Sequence, residues 1–149
     1  MNLLIRKANK SDLSSILALY AESDIDNGHV LELLGAERLF NRIKSYPNFN
    51  VYVAIINDEI VGTFELLIMD NLAHMGAPSG IVEDVVVRSD FRNQGIGKKM
   101  MCFALEECKK NGCYKMTLSS NLKRDRAHQF YESLGFKKHG FSFQIDINK

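Results

Sequence analysis

Two glycines, Gly95 and Gly97, stand where an apolar run, Val85-Val86-Val87, gives way to an amphipathic helical pattern. Backbone N–H groups at a helix start lack helical partners and sit at the positive end of the dipole, so such a start binds phosphate oxygens. Without side chains at 95 and 97 a pyrophosphate can come close to the backbone. Arg88, Arg92, Lys98 and Lys99 add positive charge nearby. A Walker A loop is excluded by Arg92 and Lys99, and a dinucleotide motif by Met100, where a third glycine is needed. A tight strand-to-helix turn with no ligand is the plain alternative. Upstream on the same run, Glu83 and Asp84 can take up a proton or serve as strand-end charges. Adjacent strand residues face opposite ways, so only one of the two is expected to face a substrate. Tyr131 carries a phenol that can donate a proton, or is simply core on the apolar side of its helix.

The elements that position these groups are legible as periodicities. Leu3 to Lys7 reads as an opening strand. Ser11 is a good N-cap for a helix with Leu13, Ile16, Leu17 and Tyr20 on its apolar face. A second helix runs from about Leu31 to Lys44, with Ala36, Leu39, Phe40 and Ile43 on one side. Val51–Ile56 and Ile60–Met69 flank Asn57-Asp58 as an antiparallel hairpin. A strand follows at Ile81–Val87. The helix from about Gly95 to Asn111 turns Ile96, Met100, Met101, Phe103, Ala104, Leu105 and Cys108 inward and closes at Gly112. Tyr114–Leu118 is a strand, Arg126–Leu134 a helix closed by Gly135, and Phe141–Ile147 alternates as a final strand. The order β-α-α-β-β-β-α-β-α-β makes a mixed α/β sheet with helices packed on it.

Composition narrows the function. The 149 residues are 46% apolar and 25% charged, an ordinary globular balance. A net charge of +1 argues against a dedicated nucleic-acid binder. No apolar run approaches the ~18 residues of a membrane helix. The start, Leu3-Leu4-Ile5 followed by Arg6-Lys7, does not read as a signal peptide, so a cytoplasmic protein is expected. Cys102, Cys108 and Cys113 fit no zinc spacing, and the four histidines are scattered, so no metal site is expected.

The strand followed by Arg92-Asn93-Gln94-Gly95-Ile96-Gly97 resembles the acetyl-CoA signature of the GNAT family of N-acetyltransferases. Ala127-His128-Gln129-Phe130-Tyr131-Glu132-Ser133-Leu134-Gly135-Phe136 resembles that family's later segment, at the usual separation. The resemblance implies one acetyltransferase domain over residues 1–149: a mixed, mostly antiparallel sheet flanked by about four helices, its fourth and fifth strands splaying around a pantetheine arm. It assigns the backbone of Val85, Val86 and Val87 to the pantetheine and acetyl group. The turn Asn93, Gln94, Gly95, Ile96, Gly97 and Lys98, after the motif Arg92, goes to the pyrophosphate of acetyl-CoA, the co-substrate. Glu83 matches a position where members keep a carboxylate, and Tyr131 the tyrosine that serves as general acid toward the coenzyme A sulfur.

Two positions depart from the pattern. Asn93 stands where a glycine is usual and tolerates left-handed backbone best among other residues. Arg124 stands where an asparagine helps hold the cofactor. For the acceptor amine the resemblance points to the first two helices and the loop before the fourth strand, here with Glu22, Asp24, Asp26, Glu32, Asn71, His74 and Pro78. Ile81–Val87 and Cys113–Leu118 are also similar to glucosamine-phosphate N-acetyltransferases. The implied activity is acetyl transfer to a primary amine of a small molecule, amino sugar, peptide or protein. The alternative is a non-catalytic acyl-CoA-binding regulatory module. A homodimer is compatible with either.

Overall fold

A computed structural model describes residues 2–147. The chain divides into two compact units, one running to Thr117 and one starting at Leu118. The first holds β1 (Leu3–Lys7), α1 (Leu13–Glu22), α2 (Leu33–Lys44), β2 (Phe49–Ile56), β3 (Glu59–Met69), β4 (Ser79–Val87), α3 (Ile96–Lys110) and all but the last residue of β5 (Lys115–Leu118). The strands lie in the order β1-β2-β3-β4-β5, antiparallel from β1 through β4. Tyr114 N–H donates to the Pro78 carbonyl at 3.0 Å just ahead of β5 and β4. The expected hairpin forms: Asn57 and Asp58 have φ of 49° and 63°, the two left-handed residues that a type I′ turn requires.

Strand alternation separates two cores. Val51 and Val53 of β2 join Leu13, Ile16, Ala36 and Phe40 beneath α1 and α2. The intervening Tyr52 faces the other way, stacks on its cross-strand partner Phe64 at 5.1 Å, and meets Phe103 of α3 edge-on at 5.3 Å. α3 buries Ile96, Met100, Met101, Ala104 and Cys108. A side chain at Gly80 of β4 would collide with Cys108, so that glycine lets helix and sheet close together. The helix ends as expected, with Gly112 at φ 71°, its N–H on Lys109 O at 3.1 Å and the Cys113 N–H on Cys108 O at 3.0 Å. This is the double bond of a Schellman closure.

Several expectations are corrected. Ser11 does not cap α1. Residues 10–12 form a 3-10 turn, and the buried Asp12 carboxylate accepts the Asn9 N–H at 2.7 Å while pairing with Arg6 at 2.6 Å. Ser11 therefore lies inside that turn, and α1 begins after it, at Leu13. Leu39 and Leu105, placed on buried faces, are 40% and 41% exposed at the margins of their helical stripes.

The second unit contains α4 (Asp125–Ser133), closed like α3: Gly135 at φ 94°, its N–H on Glu132 O at 3.0 Å, and Phe136 N–H on Tyr131 O at 3.1 Å. The final strand expected at residues 141–147 does not form. A strand exists only through a ladder with a neighbour, and among the described residues this segment makes none. Phe141 and Phe143 are 91% exposed, Ile145 and Ile147 82%.

Candidate active site

The turn between β4 and α3 is built by its own side chains. Ser89–Phe91 forms one 3-10 turn, Arg92 is extended, Asn93 is left-handed at φ 60°, and Gly95 is left-handed at φ 79° as N-cap of α3. Asn93 thus adopts the conformation for which glycine is usual. Arg92 Nε donates to the Val87 carbonyl at 3.1 Å, tying the turn to the strand end, and Gln94 Nε2 donates to the Asp90 carbonyl at 3.1 Å. The first helical bond of α3 runs from Lys99 N–H to Gly95 O at 3.1 Å, so the N–H groups of Ile96, Gly97 and Lys98 precede it. A phosphate suits that start, with the exposed Lys98 beside it. Arg88, counted among the phosphate-side cations, is engaged elsewhere: it bonds Asp90 at 2.7 Å and Glu59 at 3.0 Å and lies over the Phe91 ring.

The register of β3 and β4 places the carboxylates. Thr63 pairs with Val86 and Glu65 with Glu83, so the single residue Phe64 of β3 lies opposite two of β4, Asp84 and Val85. The extra residue is a bulge, and Asp84 within it has φ 50°. The bulge breaks the strict alternation from which Glu83 and Asp84 were expected to face opposite ways. Glu83 shares a face with its partner Glu65, hence with Val51 and the α1 side of the sheet. The charge of Asp84, within the bulge, bears on Glu65 and on Tyr20 of α1.

Glu65 is the functional candidate that sequence reasoning missed. Burial, then the charges of Asp84 and Glu83, push its carboxyl up to about 7. Glu83 is raised by burial and by Asp84, and Asp84 by burial and by Asp26 of the loop between α1 and α2. Tyr20, raised by burial and by Glu65 and Asp84, also meets the Thr63 side chain. The available signal was a lone carboxylate inside the apolar strand Val61–Met69. Its meaning depended on the register with β4.

Of the acids expected around the acceptor, Asp26 reaches the cluster and Glu22 does not. Glu22 accepts the Ser89 N–H at 2.6 Å, which holds its carboxyl below the ordinary range and pins α1 to the turn before α3. His74 stacks on Tyr114 at 4.3 Å between ring centres. Among the described residues no group of His, Cys, Asp and Glu gathers as a metal would require.

In the second unit Tyr131 is half-buried, edge-on to Phe136 at 5.6 Å and tilted against Phe130 at 5.2 Å. Burial raises its phenol, and the positive charge of Arg124 works against that rise. The arginine that replaces the usual asparagine therefore acts on the tyrosine. His128 Nε2 lies 2.8 Å from the Asn121 carbonyl and anchors the turn before α4.

Comparison with known proteins shows the family. The pattern of the Acetyltransferase (GNAT) family matches residues 6–136. Glucosamine 6-phosphate N-acetyltransferase of Trypanosoma brucei brucei is 30% identical over 99% of this chain and 97% of its own. Aminoalkylphosphonate N-acetyltransferase of Salmonella typhimurium is 31% identical over 93% of this chain and 88% of its own. A crystal structure of a transcriptional regulator from Bacillus halodurans is similar with a TM-score of 0.91 at 29% identity, over 98% of this chain and 100% of that one. With a family pattern that spans residues 6–136 and relatives that are N-acetyltransferases along nearly their whole length, the chain belongs to the GNAT family and is an N-acetyltransferase, an enzyme that transfers an acetyl group to an amine.

Proposed function

We propose that this enzyme acetylates the primary amine of a small acceptor that also carries a phosphate or phosphonate, working as one domain in the cytoplasm with acetyl-CoA as co-substrate. The carrying observation is the pairing of Glu65 with Glu83, and the charge of the neighbouring Asp84 acting on Glu65, just before Val85–Val87. Both N-acetyltransferase relatives described above act on amines whose names include such a phosphorus group. Three cysteines without a disulfide are compatible with a reducing compartment.

Acetyl-CoA supplies the acetyl group as a thioester. The backbone of Val85, Val86 and Val87 suits its pantetheine arm, since a bulged strand leaves one residue out of the ladder. Arg92 shapes the turn, and Asn93, Gln94, Gly95, Ile96, Gly97 and Lys98 hold the pyrophosphate. The carboxylates do two things for the acceptor. Their negative charge draws in a cationic ammonium, and one of them takes up the proton it must shed to become a nucleophile. Glu83 is that base in our reading. Glu65, titrating at about 7, is the neighbour that can receive the proton in turn. Tyr131 is the general acid that protonates the departing sulfur, with Arg124 easing loss of its proton.

The test is thiol release from acetyl-CoA with matched acceptors: glucosamine 6-phosphate, glucosamine, an aminoalkylphosphonate and a peptide with a free N-terminus. A kcat/KM at least ~10-fold higher for the phosphorylated amino sugar than for glucosamine supports the proposal. Equal rates, or a preference for the peptide, overturn it. A regulatory reading predicts acetyl-CoA binding with no turnover on any amine.

A further inference from the structure

Two of the three cysteines meet where α3 ends. In its Schellman closure the Cys108 carbonyl accepts the Cys113 N–H at 3.0 Å, across the left-handed Gly112. Such a closure turns the side chains of these two positions, one in the last turn and one just beyond the cap, toward each other. Here both are thiols in side-chain hydrogen-bond contact, and neither is in a disulfide. The 3.0 Å bond, with the covalent reach on either side, keeps their Cα atoms within about 7 Å, inside the range a disulfide spans. Access differs between them. Cys108 is 2% exposed, its sulfur seated against Gly80 of β4, where a Cβ would come within 2.3 Å of it. Cys113 is half-buried at the lead into β5, and Cys102 is exposed on α3. Burial, then the adjoining Cys113, pushes the Cys108 thiol up, so it stays protonated at neutral pH and does not react first.

We infer that Cys108 and Cys113 are a redox modification site, a thiol pair that a hydroperoxide closes to a disulfide. The Cys113 sulfur, the one that solvent reaches, attacks a peroxide oxygen. An S–O bond forms, the O–O bond breaks, and the second oxygen leaves with the thiol proton as water. Cys113 is then a sulfenic acid. The Cys108 sulfur, already in contact, attacks it: the S–S bond forms, the S–O bond breaks, and hydroxide leaves with the Cys108 proton as a second water. Two thiols are oxidised and one peroxide is reduced. Because the resolving thiol belongs to the same helix end, burial of Cys108 does not hinder this step. The pair lies at the far end of α3 from Gly95–Lys98, so the site is separate from the acetyl-CoA turn. Disulfides of this kind in a reducing compartment are transient and redox-sensing. The inference is independent of the acceptor proposed above.

Trypsin makes the test direct, because Lys109 and Lys110 lie between the two cysteines. The native full chain is treated with hydrogen peroxide, remaining thiols are capped with iodoacetamide, and the digest is read by mass spectrometry. Peptides 100–109 and 111–115 should appear joined in most of the chain, two hydrogens lighter than their sum. Dithiothreitol before capping should separate them. Cys102 shares peptide 100–109 with Cys108, so Cys102→Ser must keep the link. Cys108→Ala removes the resolving thiol, and peptide 111–115 should then gain oxygen as a sulfinic acid instead of a link. Three results overturn the inference: a peroxide-treated wild type with all three thiols still capped, added oxygen on peptide 111–115 of the wild type without a link, or a link lost in Cys102→Ser. The wild-type measurement needs no variant, so a substitution that fails to fold does not remove the test.

Discussion

Replacing Glu65 by glutamine removes a titration while keeping the size and most of the polarity of the side chain. The folded protein holds the Glu65 carboxyl at about 7 against an ordinary value of 4.5. A gap of that size corresponds to about 3 kcal/mol at ~1.4 kcal/mol per pH unit. Glu65 keeps some access to water, so screening reduces the figure to roughly 1.5–2 kcal/mol. The sign follows from proton counting. Because the folded state holds the proton more tightly than the unfolded state, the contribution to stability is full below 4.5 and is lost as pH rises through about 7. Wild type should therefore lose Tm between pH 5 and pH 8.5 relative to Glu65→Gln. For a chain of this length the change in the difference is about 5 °C. Differential scanning calorimetry of both proteins across that range reads it directly, and any constant offset between Glu and Gln cancels. Parallel curves would refute the clustering of Glu65 with Glu83 and Asp84, because an isolated surface glutamate titrates near 4.5.

The remaining predictions address the reaction. Gly97→Asp puts bulk and negative charge where the pyrophosphate approaches α3, and should abolish calorimetrically measured acetyl-CoA binding while the circular dichroism spectrum is kept. Glu83→Gln should lower kcat most near neutral pH, with the loss shrinking at high pH where the amine deprotonates unaided; a uniform loss would assign Glu83 to acceptor binding instead. Tyr131→Phe keeps the ring contacts with Phe136 and Phe130 and removes only the hydroxyl, so single-turnover acetyl transfer should fall by about 100-fold with acetyl-CoA affinity unchanged, whereas a purely structural tyrosine would cost only ~1 kcal/mol of stability.

What the sequence disclosed, and what it withheld, divides along the range of the interactions involved. Features set by a few neighbouring residues were readable. Asn57-Asp58 makes the turn its composition demands, Gly112 and Gly135 close their helices, and Asn93 and Gly95 take the left-handed backbone that the turn before α3 needs. Features set by register were not readable. Alternation assigns Glu83 and Asp84 to opposite faces, and only the mismatch of Thr63–Val86 against Glu65–Glu83 reveals the bulge that interrupts that alternation. No single residue type announces a bulge; it is a difference between two strands, and the register it sets puts Glu65 opposite Glu83. The segment 141–147 carries the same lesson one level higher. Its alternation states that a strand needs a ladder and a cover, but an amino-acid pattern does not say which molecule supplies them. A correct reading of the pattern and an absent strand are therefore compatible.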